Sequence, residues 1–350
     1  MSFVHSSLNN VERPRFTTLT DADFPHHAVY VTCVLDENRS YQLVRVFDVL
    51  KEKLKIVKIV SRTLVEGQVI VRDIARMKAA CEGDNRHCTF IEDFKGPSFW
   101  FLVFTEPRAT LATLLRREDM VPLPSRHVRE ILSQIICATS DLHRIGIFHL
   151  DVCPSNVEVL DAATVVESFY KAQGVFESRK ILKCARISLR FYGEAGTSRG
   201  GLVGADQYRA PEIVYGWGGG RRSDNFSIGC LFWEMLKGAA LFPPCNDERL
   251  YVKAKTHMFA AILGDLPSDM VSRIQIAHKG IFCDGYRCEL TNVDDLSEVV
   301  RDYLETAGSI HDAILDKATF DIVDGLLKIS ADDRIALESI LDFKYFDVKD

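Results

Sequence analysis

His149-Leu150-Asp151-Val152-Cys153-Pro154-Ser155-Asn156 is the stretch that decides how the rest of the chain is read. It carries one carboxylate, Asp151, and one carboxamide, Asn156, five positions further on. A carboxylate can accept a hydroxyl proton, and a carboxamide oxygen can hold a metal ion, so the pair has the chemistry of a group-transfer loop. No cation stands between them, because Cys153 cannot bring positive charge to an anionic substrate.

The flanking segments differ in kind. Upstream, residues 28–60 contain three β-branched-rich runs, Val29/Val31/Val34, Leu43/Val44/Val46 and Ile56/Val57/Ile59/Val60, with polar turns at 36–40 and 51–53. Residues 61–80 have helical spacing, with Val69, Ile70, Ile74 and Met77 on one face. Residues 89–94 and 99–104 read as two more strands, completing a small five-stranded β lobe with one helix. Beyond it the pattern is helical. Residues 126–145 carry Val128, Ile131, Leu132, Ile135 and Leu142. Residues 224–237 carry Ile228, Leu231, Phe232, Met235 and Leu236, a stripe too apolar for a surface helix. Further helices are expected from Ser268 and around Ile322 and Leu337. Residues 161–180 read as a partly helical insert, and residues 1–25 as a flexible lead-in. The predicted class is α+β in two lobes, 26–107 and 108–350.

Composition narrows the function classes. The chain has 350 residues, 47% of them hydrophobic, enough for two cores. A net charge of −6 gives no basic field for nucleic acid. No apolar run approaches the ~18 residues of a membrane span, and the N-terminus shows no signal-peptide pattern. The ten cysteines are scattered without zinc spacing and read as reduced thiols, with Cys283 and Cys288 the one pair flanking a short loop. A cytoplasmic or nuclear protein is expected.

Four ordered stretches give the chain a family likeness. His149–Asn156 resembles the protein-kinase catalytic loop H-R-D-x-K-x-x-N. Gln207-Tyr208-Arg209-Ala210-Pro211-Glu212 resembles the end of an activation segment, and Ser223-Asp224-Asn225-Phe226-Ser227-Ile228-Gly229-Cys230 resembles S-D-x-W-S-x-G-C. Asp332-Asp333-Arg334 follows near the end. The resemblance to protein kinases spans roughly residues 28–346, and within them the chain is similar to the CMGC group. Thr256 to Pro267 looks like the segment that names the LAMMER (CDC-like) kinases, beside the SR-protein kinases.

The resemblance implies a two-lobed kinase-like fold and a set of roles. Asp151 takes the catalytic-base position, with Lys58 in Ile56-Val57-Lys58-Ile59-Val60 as the phosphate-pairing lysine and Asp73 where a helix glutamate orients it. Lys58, Asn156 and Glu106 are the cofactor-binding candidates, and Asn156 is the remaining metal position. Glu212, Arg334, Asp224 and His149 are implied as structural, with Glu212 and Arg334 as a buried ion pair and Asp224 holding the catalytic-loop backbone.

Five departures count against phosphoryl transfer. Leu35, Glu37 and Ser40 stand at the three glycine positions of the phosphate-covering loop, and Asp73 replaces the helix glutamate. Cys153 replaces the catalytic-loop lysine. Aligning 182–188 with L-K-I-A-D-F-G puts Arg186 at the metal aspartate, or Ala185 with a one-residue slip, at the head of an activation segment 186–212; neither is a carboxylate. Ala205 lacks the bridging threonine hydroxyl. Apart from these five, Asp206 stands where CMGC kinases carry arginine. The expectation is a pseudokinase that acts through protein partners on its C-lobe, with weak ATP binding and Mg²⁺ poorly held. The alternative is an active serine/threonine kinase with atypical, metal-poor ATP handling.

Overall fold

Alternation of the first five strands builds an antiparallel sheet. The computed structural model describes residues 29–37, 41–80, 90–170, 176–193, 202–283, 289–314 and 316–347. The strands β1 (Val29–Glu37), β2 (Tyr41–Asp48), β3 (Lys53–Ser61), β4 (Phe90–Lys95) and β5 (Phe99–Thr105) are ordered β1-β2-β3-β5-β4. One face buries Val44, Val46, Val57, Ile59, Phe101 and Val103. The opposite face of β3 carries Ile56 and Lys58, as period-two alternation requires. Edge strand β1 has register shifts at Val31/Cys33 and Val34/Asp36, the irregularity by which edges resist pairing with other chains.

The chain divides into two compact units, 1–72 with 89–106, and 73–88 with 107–350. Helix α1 (Val65–Ala80) begins in the first and ends in the second. Residues 1–25, read as a lead-in, lie outside the described residues.

The second unit is mostly helical. It comprises α2 (Leu111–Leu115), α3 (Ser125–Arg144), β6 (Val157–Val159), β7 (Thr164–Tyr170), β8 (Phe176–Leu182), β9 (Ile187–Leu189), α4 (Pro211–Val214), α5 (Arg221–Lys237), α6 (Tyr251–Leu263), α7 (Ser268–Ala277), α8 (Glu298–Thr306), α9 (Ile310–Ala313), α10 (Lys317–Leu326) and α11 (Leu337–Ile340). Helix α5 runs through the core, burying Phe226, Ile228, Cys230, Leu231, Phe232 and Met235. It ends at Gly238, whose φ of 76° supplies the left-handed cap. Phe242 and Phe259 pack against Phe226 of this helix and against each other, with centroid separations of 5.2–6.2 Å.

The insert expected to be partly helical is a β-hairpin. Strands β7 and β8 pair from Thr164↔Leu182 to Tyr170↔Phe176. Thr164, Val165 and Val166 favour extended backbone, and this local propensity outweighs any helical spacing. Glu167 ties the hairpin to α3 through Arg126 at 2.9 Å and pairs across the hairpin with Arg179 at 3.0 Å, and Lys180 reaches Asp119 at 3.0 Å.

Glu212 on α4 and Arg334 meet in a two-pronged pair, with both N···O distances 2.8 Å. Arg334 is 2% exposed and also donates to the carbonyls of Lys328, Arg222 and Ile329, while the Ser223 hydroxyl donates to Glu212 at 2.6 Å. Glu212→Ala strands this cation in the core and is expected to cost about 3–5 kcal/mol. Denaturant unfolding measures the loss, and an unchanged midpoint would contradict the pair's structural role.

Candidate active site

The catalytic-loop backbone hangs from the start of α5. Asp224, fully buried, accepts from the Leu150 N–H through Oδ1 (2.6 Å) and from the His149 N–H through Oδ2 (2.8 Å), with His143 Nε2 2.7 Å from Oδ2. These bonds hold Leu150 at a φ of 59°, a left-handed backbone uncommon for a non-glycine residue. Downstream, Asn156 closes a short 3₁₀ turn and leads into β6.

Asp151 and Asn156 come together. The Asn156 amide Nδ2 donates to Asp151 Oδ2 at 2.6 Å and to the Asp151 carbonyl at 2.8 Å. The Ala205 N–H donates to Asp151 Oδ1 at 2.7 Å. A backbone amide thus contacts the carboxylate directly where the family's threonine hydroxyl would bridge. The approach depends on Gly204, with φ +75°, where an added Cβ would lie 2.2 Å from the Leu150 carbonyl oxygen. Cys153 is buried, and burial pushes its thiol well above the usual range, so this position carries no charge.

The β6–β9 ladder corrects the alignment of the metal position. Its register is Val157↔Leu189, Glu158↔Ser188 and Val159↔Ile187. In the family one residue of the D-F-G stretch and the catalytic-loop asparagine hold the metals, so that residue has to lie beside Asn156. The Arg190 N–H donates to the Asn156 carbonyl at 2.8 Å. Arg186, the position assigned from sequence, is exposed, and its carbonyl accepts from the Leu160 N–H at 3.0 Å. That places it about 13 Å further along the strand. Arg190-Phe191-Tyr192 therefore overlies D-F-G. The Leu182-Lys183-Cys184-Ala185 match drew the alignment four residues early, whereas the apolar-polar-apolar Ile187-Ser188-Leu189 followed by Phe191 marks the true strand end.

Arg190 is fully buried and internally neutralised. Its Nη1 lies 2.5 Å from Glu158 Oε2, and its Nε donates to the Tyr192 hydroxyl at 2.7 Å. His149 connects it to the loop, because the Asp151 N–H approaches His149 Nδ1 at 3.2 Å and His149 Nε2 lies 2.9 Å from the Arg190 carbonyl. Nδ1 as acceptor and Nε2 as donor define a neutral imidazole, and burial lowers the His149 pKa in agreement. Phe191 packs edge-on against this ring at 5.5 Å.

The segment before Glu212 is latched by charge. Asp206 Oδ2 accepts from the Cys245 N–H at 2.8 Å and lies 3.1 Å from the buried Lys255 ammonium. Arg209 donates to the carbonyls of Val203 (2.9 Å) and Gly204 (2.6 Å). Ser40, at a glycine position of the covering loop, and residues 194–201 of the activation segment lie outside the described residues. Cys283 carries a free thiol, while Cys288 also lies outside them.

The other candidates divide between the units. In the sheet unit, Lys58 is fully buried, with Nζ 3.5 Å from the centroid of the Tyr41 ring, a contact sequence reasoning missed. Tyr41, in a strand already apolar in pattern, gave no separate signal. Glu106 is held by Arg45, Nη2 to Oε1 at 2.9 Å. In the helical unit, Asp73 lies 3.8 Å from Arg76 Nη1.

A protein kinase domain model matches residues 44–346, and the chain belongs to that family. Its relatives are CMGC kinases of the LAMMER type and their neighbours. It is 31% identical over 164 residues to the dual specificity protein kinase lkh1 of Schizosaccharomyces pombe, covering 45% of this chain and 22% of that one. It is 22% identical to the serine/threonine-protein kinase AFC3 of Arabidopsis thaliana, covering 84% of this chain and 74% of that one. With the serine/threonine-protein kinase Doa of Drosophila melanogaster the identity is 23%, over 93% of this chain and 39% of that one. Among solved structures, a crystallised kinase domain superposes with a TM-score of 0.70 at 18% identity, covering 91% of this chain and 95% of that one.

Two predictions follow from the buried groups. Glu158→Gln leaves Arg190 without its counter-charge and is expected to destabilise the protein by about 3–5 kcal/mol in chemical unfolding; a loss below ~1 kcal/mol would contradict the pairing. His127, His149 and His257 all have pKa values lowered, in each case chiefly by burial. Unfolding lets them take up protons near the ordinary value of about 6.5, so their contribution is present above that pH and lost as pH falls below it. The unfolding midpoint should therefore drop between about pH 7 and pH 5, with a shallower slope in His257→Gln; a flat profile would contradict this.

Proposed function

We propose that this chain is a catalytically impaired member of the protein kinase family that works by binding other proteins. The observation that carries this reading is Arg190, a buried cation paired with Glu158 and bonded to the Asn156 carbonyl. The residues present do not fit Mg²⁺. Asn156 offers one neutral oxygen, and its amide is committed to Asp151. The acidic ligand that a hard cation needs is replaced by a guanidinium.

Phosphoryl transfer is mostly positioning and charge neutralisation, and one cationic group can be worth about 10³–10⁵ in rate. Here the metal carboxylate, the catalytic-loop lysine and the bridging hydroxyl are all replaced. Such losses do not add simply, but together they leave little turnover. ATP, if taken up, is expected to bind weakly. The second reading, an active serine/threonine kinase with metal-poor ATP handling, draws on the retained Asp151–Asn156 contact and on buried Lys58.

The proposed partner-binding surface lies on the helical unit, with residues 256–271 and the insert 161–180 as candidates. The partner is a protein rather than nucleic acid or a membrane, in line with the net charge of −6. A cytoplasmic or nuclear location goes with this reading. The test is thermal unfolding with ATP, with and without Mg²⁺ or Mn²⁺, together with a transfer assay on the wild type and Asp151→Asn. No metal-dependent stabilisation and equal background in both proteins are expected. Metal-dependent stabilisation with transfer abolished in Asp151→Asn would establish the second reading instead.

A further inference from the structure

The sheet unit contains a buried cation with one face already covered. Lys58 has no solvent exposure and Tyr41 only 4%. Tyr41 opens β2, two residues before Leu43, which pairs with Lys58 across the β2–β3 ladder. Tyr41 is thus a diagonal neighbour of Lys58 on the same sheet face, within reach of a long side chain. The ring lies flat enough on the ammonium to put Nζ 3.5 Å from its centroid. From the neighbouring strand, Asp36 Oδ2 accepts from the Tyr41 hydroxyl at 2.5 Å. One residue from each of β1, β2 and β3 therefore forms a chain of contacts, carboxylate to phenol to ammonium.

We propose that Tyr41 is a specificity-determining residue that withholds Lys58 from nucleotide phosphates. The inference rests on the reading of Lys58 at the family's phosphate-pairing position. A phosphate oxygen must come within about 2.7–2.9 Å of an ammonium nitrogen to form a charge-assisted hydrogen bond. The aromatic face occupies that approach on the side it covers. Binding phosphate there requires the ring to swing away, which loses the desolvated cation–π contact and breaks the hydroxyl bond to Asp36. Asp36 acts in the same direction. Its carboxylate holds the ring in place and adds negative charge on the strand that leads into the covering loop.

The experiment is calorimetric titration of ADP in the presence of EDTA, so that no metal contributes, into wild type, Tyr41→Val and Tyr41→Val/Lys58→Met. Valine keeps a strand-favouring side chain while removing the ring. Tyr41→Val is expected to bind ADP at least about tenfold more tightly than wild type, with the gain lost in the double variant. Equal affinities in wild type and a folded Tyr41→Val, or a gain that survives Lys58→Met, would overturn the proposal.

If the valine variant does not fold, Tyr41→Leu takes its place, and a second measurement needs no variant. NMR of selectively labelled lysine in the wild type should show the Lys58 ε-methylene resonance moved upfield by the ring and unaltered by millimolar ADP. Absence of that displacement, or its disappearance on adding ADP, would overturn the proposal. Failure here is separable from failure of the catalytic reading. Equal ADP affinities without phosphoryl transfer remove the role of Tyr41 alone, whereas metal-dependent transfer by the wild type removes the impaired-kinase reading.

Discussion

The Asp224 carboxylate is the constraint on which the site depends. It sits on the buried central helix and satisfies the backbone amides of His149 and Leu150. Those bonds set the path of the catalytic loop, and His149 carries the order outward to the Arg190 carbonyl. Loss of a buried carboxylate that receives several donors would leave each of them unsatisfied, so this framework tolerates little change. Glu212 with Arg334 does the same for the segment that follows Gly204. The scaffold of a group-transfer site is therefore intact in the helical unit.

What has changed is the charge held within that scaffold. A carboxylate at position 190 would call for a cation from solution. Arg190 brings its own cation, fixed by covalent geometry and neutralised by Glu158. A guanidinium with no solvent exposure is costly without a partner, and Glu158 and the Tyr192 hydroxyl supply the partners it needs. Cys153, an uncharged buried thiol, takes a lysine position without clashing with its apolar surroundings. On the proposed reading, these replacements trade the electrostatics of transfer for an ordered loop. Asp151, held by Ala205 and Asn156, remains as a well-anchored carboxylate.

Most of the fold was legible because it rests on periodicity and punctuation. β-branched-rich runs marked the first three strands, short apolar and aromatic runs the other two, and the apolar stripe around Phe232 marked the central helix. Glu212, Arg334 and Asp224 were legible because each sits in a short, dense motif. The β7–β8 hairpin was not, since the segment gives no clean two-residue period and a lone Gly174 between its two halves is a weak turn signal. Nor were helices α8 and α9 distinguished separately near the end of the chain. The metal position was misplaced because two local matches competed, and only strand pairing shows which residue abuts Asn156. The Tyr41–Lys58 contact depends on cross-strand register, which a linear pattern does not display. Glu106 pairs with Arg45, 61 residues away on β2, which spacing did not indicate, whereas the Asp73 partner Arg76 is one helical turn on.

The most direct measurement is anomalous diffraction from crystals of the full chain grown with Mn²⁺ and an ATP analogue. The account expects no manganese peak beside Asn156, with the Arg190 guanidinium still on Glu158. A manganese ion bound to the Asn156 side-chain oxygen, with Arg190 swung away from Glu158, would contradict it.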